Sequence, residues 1–438
     1  MGHRSIHRQS LAFFEETTAC EPPADWAANG TAIDFISVEV NPKQELLVDP
    51  TAERRILLNG KRLRIKGIRN VDWNMVLKFH GTGAATTTDA QVSETYLSKV
   101  LEWCCGGIVR TYTRTVASSA NAYTLTVDVG DEVGFVAGCL IAVEDTTSAS
   151  AQNAGKLHFA QIASITGQDL VLTEALPFTP AAGDVIHGTI TIHVDETVLE
   201  DAIRNGSIYT WNWLYQRRLA GGTEELWQLE GTVAGFKLQN LARGQLPQLA
   251  LTCMSANFRK TGDDGLTWAD LASTVKTAPL SMGKDVRCSI SPNAATARVG
   301  VDVNSVDFEP GFTRVRVETT TEEVERFEGM STYSVQPGET KMTFTLVPHG
   351  EDFYEGLNDD TTYRVMFYQP GPGGAAGASA GKAWAICMPK AQIVETPGYA
   401  AVNEVGGEQI VLSAMDPSGI YTGAGAEIGG SPFLIGLA

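Results

Sequence analysis

The sequence predicts a mainly β chain: two related β-domains, each carrying a helix, with a small β-domain inserted into the first. Three observations carry this. Strand-like alternation of apolar and polar residues recurs along the chain, as in Tyr123, Leu125 and Val127 against Thr124, Thr126 and Asp128. The composition suits short strands joined by turns, with 44 glycines and only 19% charged residues. Two distant stretches match in order, 225–254 and 382–415.

In chain order, residues 1–30 read as an N-terminal arm, basic at Arg4 and Arg8 and broken by Pro22 and Pro23. Residues 31–107 and 194–262 form the first domain. Ile33 to Val40 is strand-like, and Asn59-Gly60 marks a hairpin between Ile56–Leu58 and Leu63–Ile65. Thr88 to Gln91 reads as a capping box opening a helix. Val92, Tyr96, Leu97, Val100, Leu101 and Cys104 supply its apolar face, and Gly106-Gly107 ends it. A helix of this kind is expected across a sheet face.

Residues 108–193 read as the inserted barrel-like β-domain, with strands at 155–165, 169–173 and 184–192. Asp195 to Asn205 is predicted to be a short helix. Strands at 208–215, 225–238 and 246–254 follow, then a linker through residue 282, of which 263–282 separates the domains. The second domain, 283–438, alternates at Thr313, Val315 and Val317 against Arg314 and Arg316, and again at Met342, Phe344 and Leu346. Residues 370–381, containing Gly373 and Gly377, read as a flexible Gly/Ala loop, and 431–438 as a docked apolar tail.

Each matched stretch starts on a Trp-bearing strand (Trp227, Trp384) after a Gly-bearing loop, and closes on an apolar strand ending in Met254 or Met415. Thr-Gly follows seven residues later in both. A helical segment precedes each, at 89–105 and 351–357. Two copies are too few for a solenoid and point to a fused pair of domains.

Charge and motif content bound the function. A net charge of −18 argues against ordinary nucleic-acid binding, which needs a basic footprint. The seven cysteines show no C-x-x-C pair and read as small buried hydrophobes in a reduced compartment. No apolar signal core opens the chain, and no apolar run is long enough to span a membrane. Phosphate-loop, Rossmann, H-E-x-x-H and G-x-S-x-G patterns are missing. His187 and His193 lack a nearby third ligand, and His80 reads as a satisfied turn histidine. The acidic run Glu322, Glu323, Glu325 and Glu328 reads as a solvated turn. No catalytic, metal or cofactor residues are therefore expected, and an enzyme is disfavoured.

The run Glu225 to Phe236 followed by Leu246 to Met254 is similar to the hairpin and closing strand of the tail tube (major tail) proteins of long-tailed phages. The passages 135–143 and 161–187 resemble the small domain inserted in many of them, and Ser431 to Gly436 resembles their ending. The resemblance implies two tail-tube-type β-sandwich or barrel domains. It implies a virion tail protein, assembled in the host cytoplasm, whose subunits pair strands into closed rings that stack into a tube. Its partners would be further copies of itself, neighbouring tail proteins, and a tape measure protein and DNA passing an acidic lumen without tight binding. Simple tube subunits have one domain, so two domains imply a trimer imitating six-fold symmetry rather than a hexamer. Trp211, Trp213, Arg314, Arg316, Gly373 and Gly377 are the expected interface residues, and the arm and the 370–381 loop the expected bridges between rings. The alternatives are a distal tail or baseplate ring protein of the same fold, and a carbohydrate-binding β-sandwich using Trp211 and Trp213 in a groove.

Overall fold

The computed structural model describes residues 8–16, 23, 26–40, 43–48, 64–83, 86–146, 154–199, 210–218, 224–242, 244–261, 286–318, 330–347, 353–402, 405–417, 428 and 430–438. The chain is mainly β, as its alternation requires, and its strand pairs are antiparallel. The hairpin expected at Asn59-Gly60, the acidic run 322–328, Cys20 and residues 263–282 lie outside the described residues.

The two halves repeat one strand order. In the first, Arg8–Glu15 pairs with Trp211–Arg218, then Glu224–Ala242, Gln248–Thr261, Arg64–Lys78 and Ser37–Val40. In the second, Arg287–Pro292 pairs with Thr362–Gln369, then Trp384–Ile393, Val405–Ala414, Lys341–Leu346 and Val303–Glu309. The chain visits equivalent positions in the same sequence in both halves, first edge strand, opposite edge strand, its neighbour, helix, then the three-strand meander. A hairpin follows the second of these strands each time: Lys43–Val48 with the start of Arg64–Lys78, and Phe312–Glu318 with Met330–Pro337.

The helices differ in length. Tyr96–Cys105 in the first half is capped by Thr95, whose hydroxyl accepts from the Ser98 N–H while Ser98 Oγ accepts from the Thr95 N–H. The capping box thus lies seven residues after the expected one. Residues 88–89 instead form a turn, with Asp89 at φ 65°, leading to a bridge between Gln91 and Tyr112. Gly106 ends the helix in the left-handed conformation, φ 90°, as the sequence predicts. The second helix, Phe353–Asn358, is shorter. Of the helix expected from Asp195 to Asn205, residues 196–199 are helical and the rest lies outside the described residues.

Three segments depart from the sequence reading. The N-terminal arm contains the strand Arg8–Glu15, whose Leu11, Ala12 and Phe13 are buried, so this part is built into the sheet. Strand Gln248–Thr261 runs through residues assigned to the linker. The inserted sheet spans 114–187 rather than 108–193, because Gly106–Arg110 and Ile190–Val194 pair with each other outside it. The docked tail is the strand Leu434–Leu437, held between Ile190–Val194 of the first half and Trp384–Ile393 of the second.

In the inserted unit, Leu140–Glu144, Leu157–Thr166 and Asp169–Leu172 pair in succession. The segment 114–121 serves both ends of this sheet. Val116 N–H donates to the Asp184 carbonyl and Ala117 N–H to that of Thr126, so the sheet returns on itself. Its core of Leu125, Leu140, Phe159 and Ile186 continues into Met366, Tyr368, Ala385 and Cys387 of the second half.

Candidate assembly site

The halves meet along a strand that outruns its neighbour. Glu224–Ala242 spans 19 residues beside the 8 of Trp211–Arg218, whose last pair is Trp211 with Thr232. Val303–Glu309 of the second half fills the place beyond: Leu238 faces Phe308, Leu241 faces Val306 and Ala242 faces Ser305. The register shifts between the first two pairs, where Asn240 takes φ 60°, a conformation asparagine tolerates better than most residues.

Apolar burial holds this joint. Leu238, Leu241, Val306 and Phe308 are buried. Phe433 from the tail meets Phe308 edge-on at 5.1 Å, and Phe236 approaches Phe312 at 6.2 Å. At the surface Lys237 Nζ lies 3.2 Å from Asp307 Oδ1, an exposed pair that contributes little. The second hairpin also crosses to the first half. Its Tyr333 packs on Val233 and Ala256 with its hydroxyl 2.5 Å from the Gly231 carbonyl oxygen.

The six residues expected at an interface between copies take the following places within one chain. Trp211 and Trp213 do share a face, and that face is the core of the first half. Trp211 stacks on Phe13 at 4.4 Å and on Trp103 at 4.8 Å, and Trp213 meets Trp73 at 5.5 Å. Trp213 is fully buried and Trp211 nearly so, so neither lines a surface groove. Arg314 pairs in register with Val335 and is 7% exposed, near enough to the helix for its charge to act on Cys104 and Cys105. Arg316 occupies the same strand opposite Tyr333.

Gly373 and Gly377 belong to a loop that is docked rather than free. Gly377, at φ 75°, donates its N–H to Glu144 Oε1 at 2.7 Å, while Glu144 Oε2 lies 2.6 Å from His187 Nε2. Gly373 N–H donates to Ser379 Oγ, which itself donates to the Gly155 carbonyl. Gly374 N–H reaches the Ala154 carbonyl and Leu157 N–H that of Pro370. The small side chains that read as flexibility instead let two backbones approach, so within the chain the loop clamps the inserted unit.

A buried charge cluster between the inserted unit and the second half escaped the sequence reading. Glu174 of the inserted unit is fully buried. Its carboxylate meets Arg298 Nη2 at 2.9 Å and Arg364 Nε at 3.7 Å, and accepts from Ser291 Oγ at 3.3 Å. Arg298 donates further to the Tyr368 hydroxyl and the Phe159 carbonyl. The available signal was a charge inside an apolar run, Arg364 between Tyr363 and Val365. Only the fold says that Glu174 is its partner.

The chemistry-bearing groups are tied into structure. His80 Nδ1 donates to the Gly81 carbonyl at 2.6 Å and Nε2 accepts from the Tyr96 hydroxyl at 3.0 Å, while burial lowers its pKa. Burial pushes the Cys104 and Cys139 thiols up to about 12, against the thiolate a nucleophile needs. Among the described residues, no three His, Cys, Asp or Glu side chains gather as a metal site requires. Among them, too, no helix is long and apolar enough to cross a membrane. No protein-family model and no curated protein matches the chain. The joint between the halves is thus the feature with most to say about function.

Proposed function

We propose that this chain is a structural subunit that assembles as stacked rings into a phage-type tail tube, a channel for DNA. One observation carries the reading: two copies of the same strand order, joined edge to edge within a chain. Such a joint is heterologous, since different surfaces meet, and repeating it between chains generates a ring if the rotation closes. Two copies per chain make three chains the natural count for a six-fold-like ring. Closure would remove the open sheet edges that otherwise invite aggregation. The net charge of −18 supports a lumen that repels phosphates and lets DNA pass without holding it.

Negative-stain electron microscopy of the concentrated protein tests this. Hollow rods built of three-chain rings are the expected result. Particles that stay monomeric at every concentration overturn the proposal, and six chains per ring overturn the trimer.

A further inference from the structure

We infer that the chain docks onto a second copy of itself through two specific edges, Gly398–Val402 of one copy pairing antiparallel with Ser37–Val40 of the next. The inference rests on the ring part of the proposed function and is independent of the tube and its DNA.

The internal joint is the template. In it the far end of the long strand Glu224–Ala242 receives Val303–Glu309, the strand that flanks Lys341–Leu346. Ser37–Val40 is the counterpart of Val303–Glu309 in the first half, since it flanks Arg64–Lys78 in the same position. The counterpart of the long strand in the second half is split. Trp384–Ile393 covers its first part, and after a break at 394–397 Gly398–Val402 continues along the same partner, Val405–Ala414. Gly398–Val402 therefore stands where the receiving end stands in the first half. Among the described residues each of these two short strands pairs on one side alone, with Arg64–Lys78 and Val405–Ala414 respectively. Among the described residues, the chain thus satisfies one copy of the contact internally and leaves one donor edge and one receiving edge.

The exposed apolar side chains support the same edges. Ile36, directly before the donor strand, is 45% exposed. Val394 and Tyr399, on the receiving side, are 44% and 80% exposed. At the internal joint Leu238, Leu241, Val306 and Phe308 are buried, Phe308 completely. Large apolar groups left exposed beside short strands mark a surface that a partner strand can cover. The occupant is a second copy because the covering strand already exists in the sequence.

The test uses two full-length variants. Ile36→Lys with Ser37→Lys charges the donor edge, and Val394→Lys with Tyr399→Lys charges the receiving edge. These are surface positions, and circular dichroism melts check that each variant folds. In analytical ultracentrifugation each variant alone should run as a monomer, and a 1:1 mixture should give a dimer and nothing larger, because one intact pair of edges remains. Either variant alone forming rings of wild-type size overturns the inference, as does a mixture that stays monomeric. Wild-type rods that persist in both variants sink the edges and leave the tube reading standing. Wild-type rings that never stack, yet fall apart in both variants, sustain the edges and sink the tube.

Discussion

The two halves share a strand order but bury their sheets by different means. The first covers its central strands with its own helix and an aromatic stack, Phe13, Trp103, Trp211 and Trp213, within one stretch of core. The second has a shorter helix and borrows cover. Val365 and Phe367 point into the main core, while Met366 and Tyr368 point into the core of the inserted unit. Strands buried on both faces lose their polar alternation, and Thr362–Gln369 accordingly reads as a nearly continuous apolar run. The difference teaches that a duplicated unit need not keep a duplicated core. The first half takes one strand from the second at the joint, and the second takes cover from an element inserted into the first.

The largest expected effects break this dependence. Glu174→Ala leaves the Arg298 and Arg364 guanidinium groups buried without their carboxylate, at a cost of about 3–5 kcal/mol. The loss should appear first as protease cleavage within 111–189, with the first half still folded. Trp213→Ala removes a fully buried indole at a similar cost, about 3–5 kcal/mol, but should loosen the first half instead. Limited proteolysis with mass mapping separates the two, and identical cleavage maps would refute the division.

A smaller effect probes the helix of the first half. Burial, helped by Glu94 and Glu15, raises the pKa of Glu102 to about 7. A carboxyl raised in the folded state binds its proton more tightly there than in the unfolded chain. Its stabilising contribution is complete below the ordinary value near 4.5 and is lost as pH rises through about 7. Glu102→Gln should therefore raise the Tm at pH 8 and leave it nearly unchanged at pH 4. Equal shifts at both values would show that proton linkage is not the cause. Smallest is Thr95→Ala, which removes the side-chain acceptor of the cap at about 1 kcal/mol. A denaturant midpoint unchanged by this substitution would mean that packing alone holds the helix.

Much of the architecture was legible because it follows from local periodicity. Met342, Phe344 and Leu346 alternate in sequence and are all buried, Gly106 ends its helix, and the matched stretches at Trp227 and Trp384 do occupy equivalent strands. The start of the helix was misplaced because Thr88–Gln91 and Thr95–Ser98 both offer capping chemistry, and the choice fell to the Gln91–Tyr112 bridge, a non-local pairing. Leu11 to Phe14 carried a strand signal hidden among the polar residues of an apparent arm.

By itself the sequence determined the mainly β content, since alternation is written along the chain. Tertiary structure alone decided that Trp211 and Trp213 face inward, that the Gly373–Gly377 loop is a clamp, that Glu174 finds two arginines, and that Val303–Glu309 completes the first half. These are contacts between residues far apart in the chain. Burial and charge pairing depend on which surfaces meet, and no local pattern encodes that meeting.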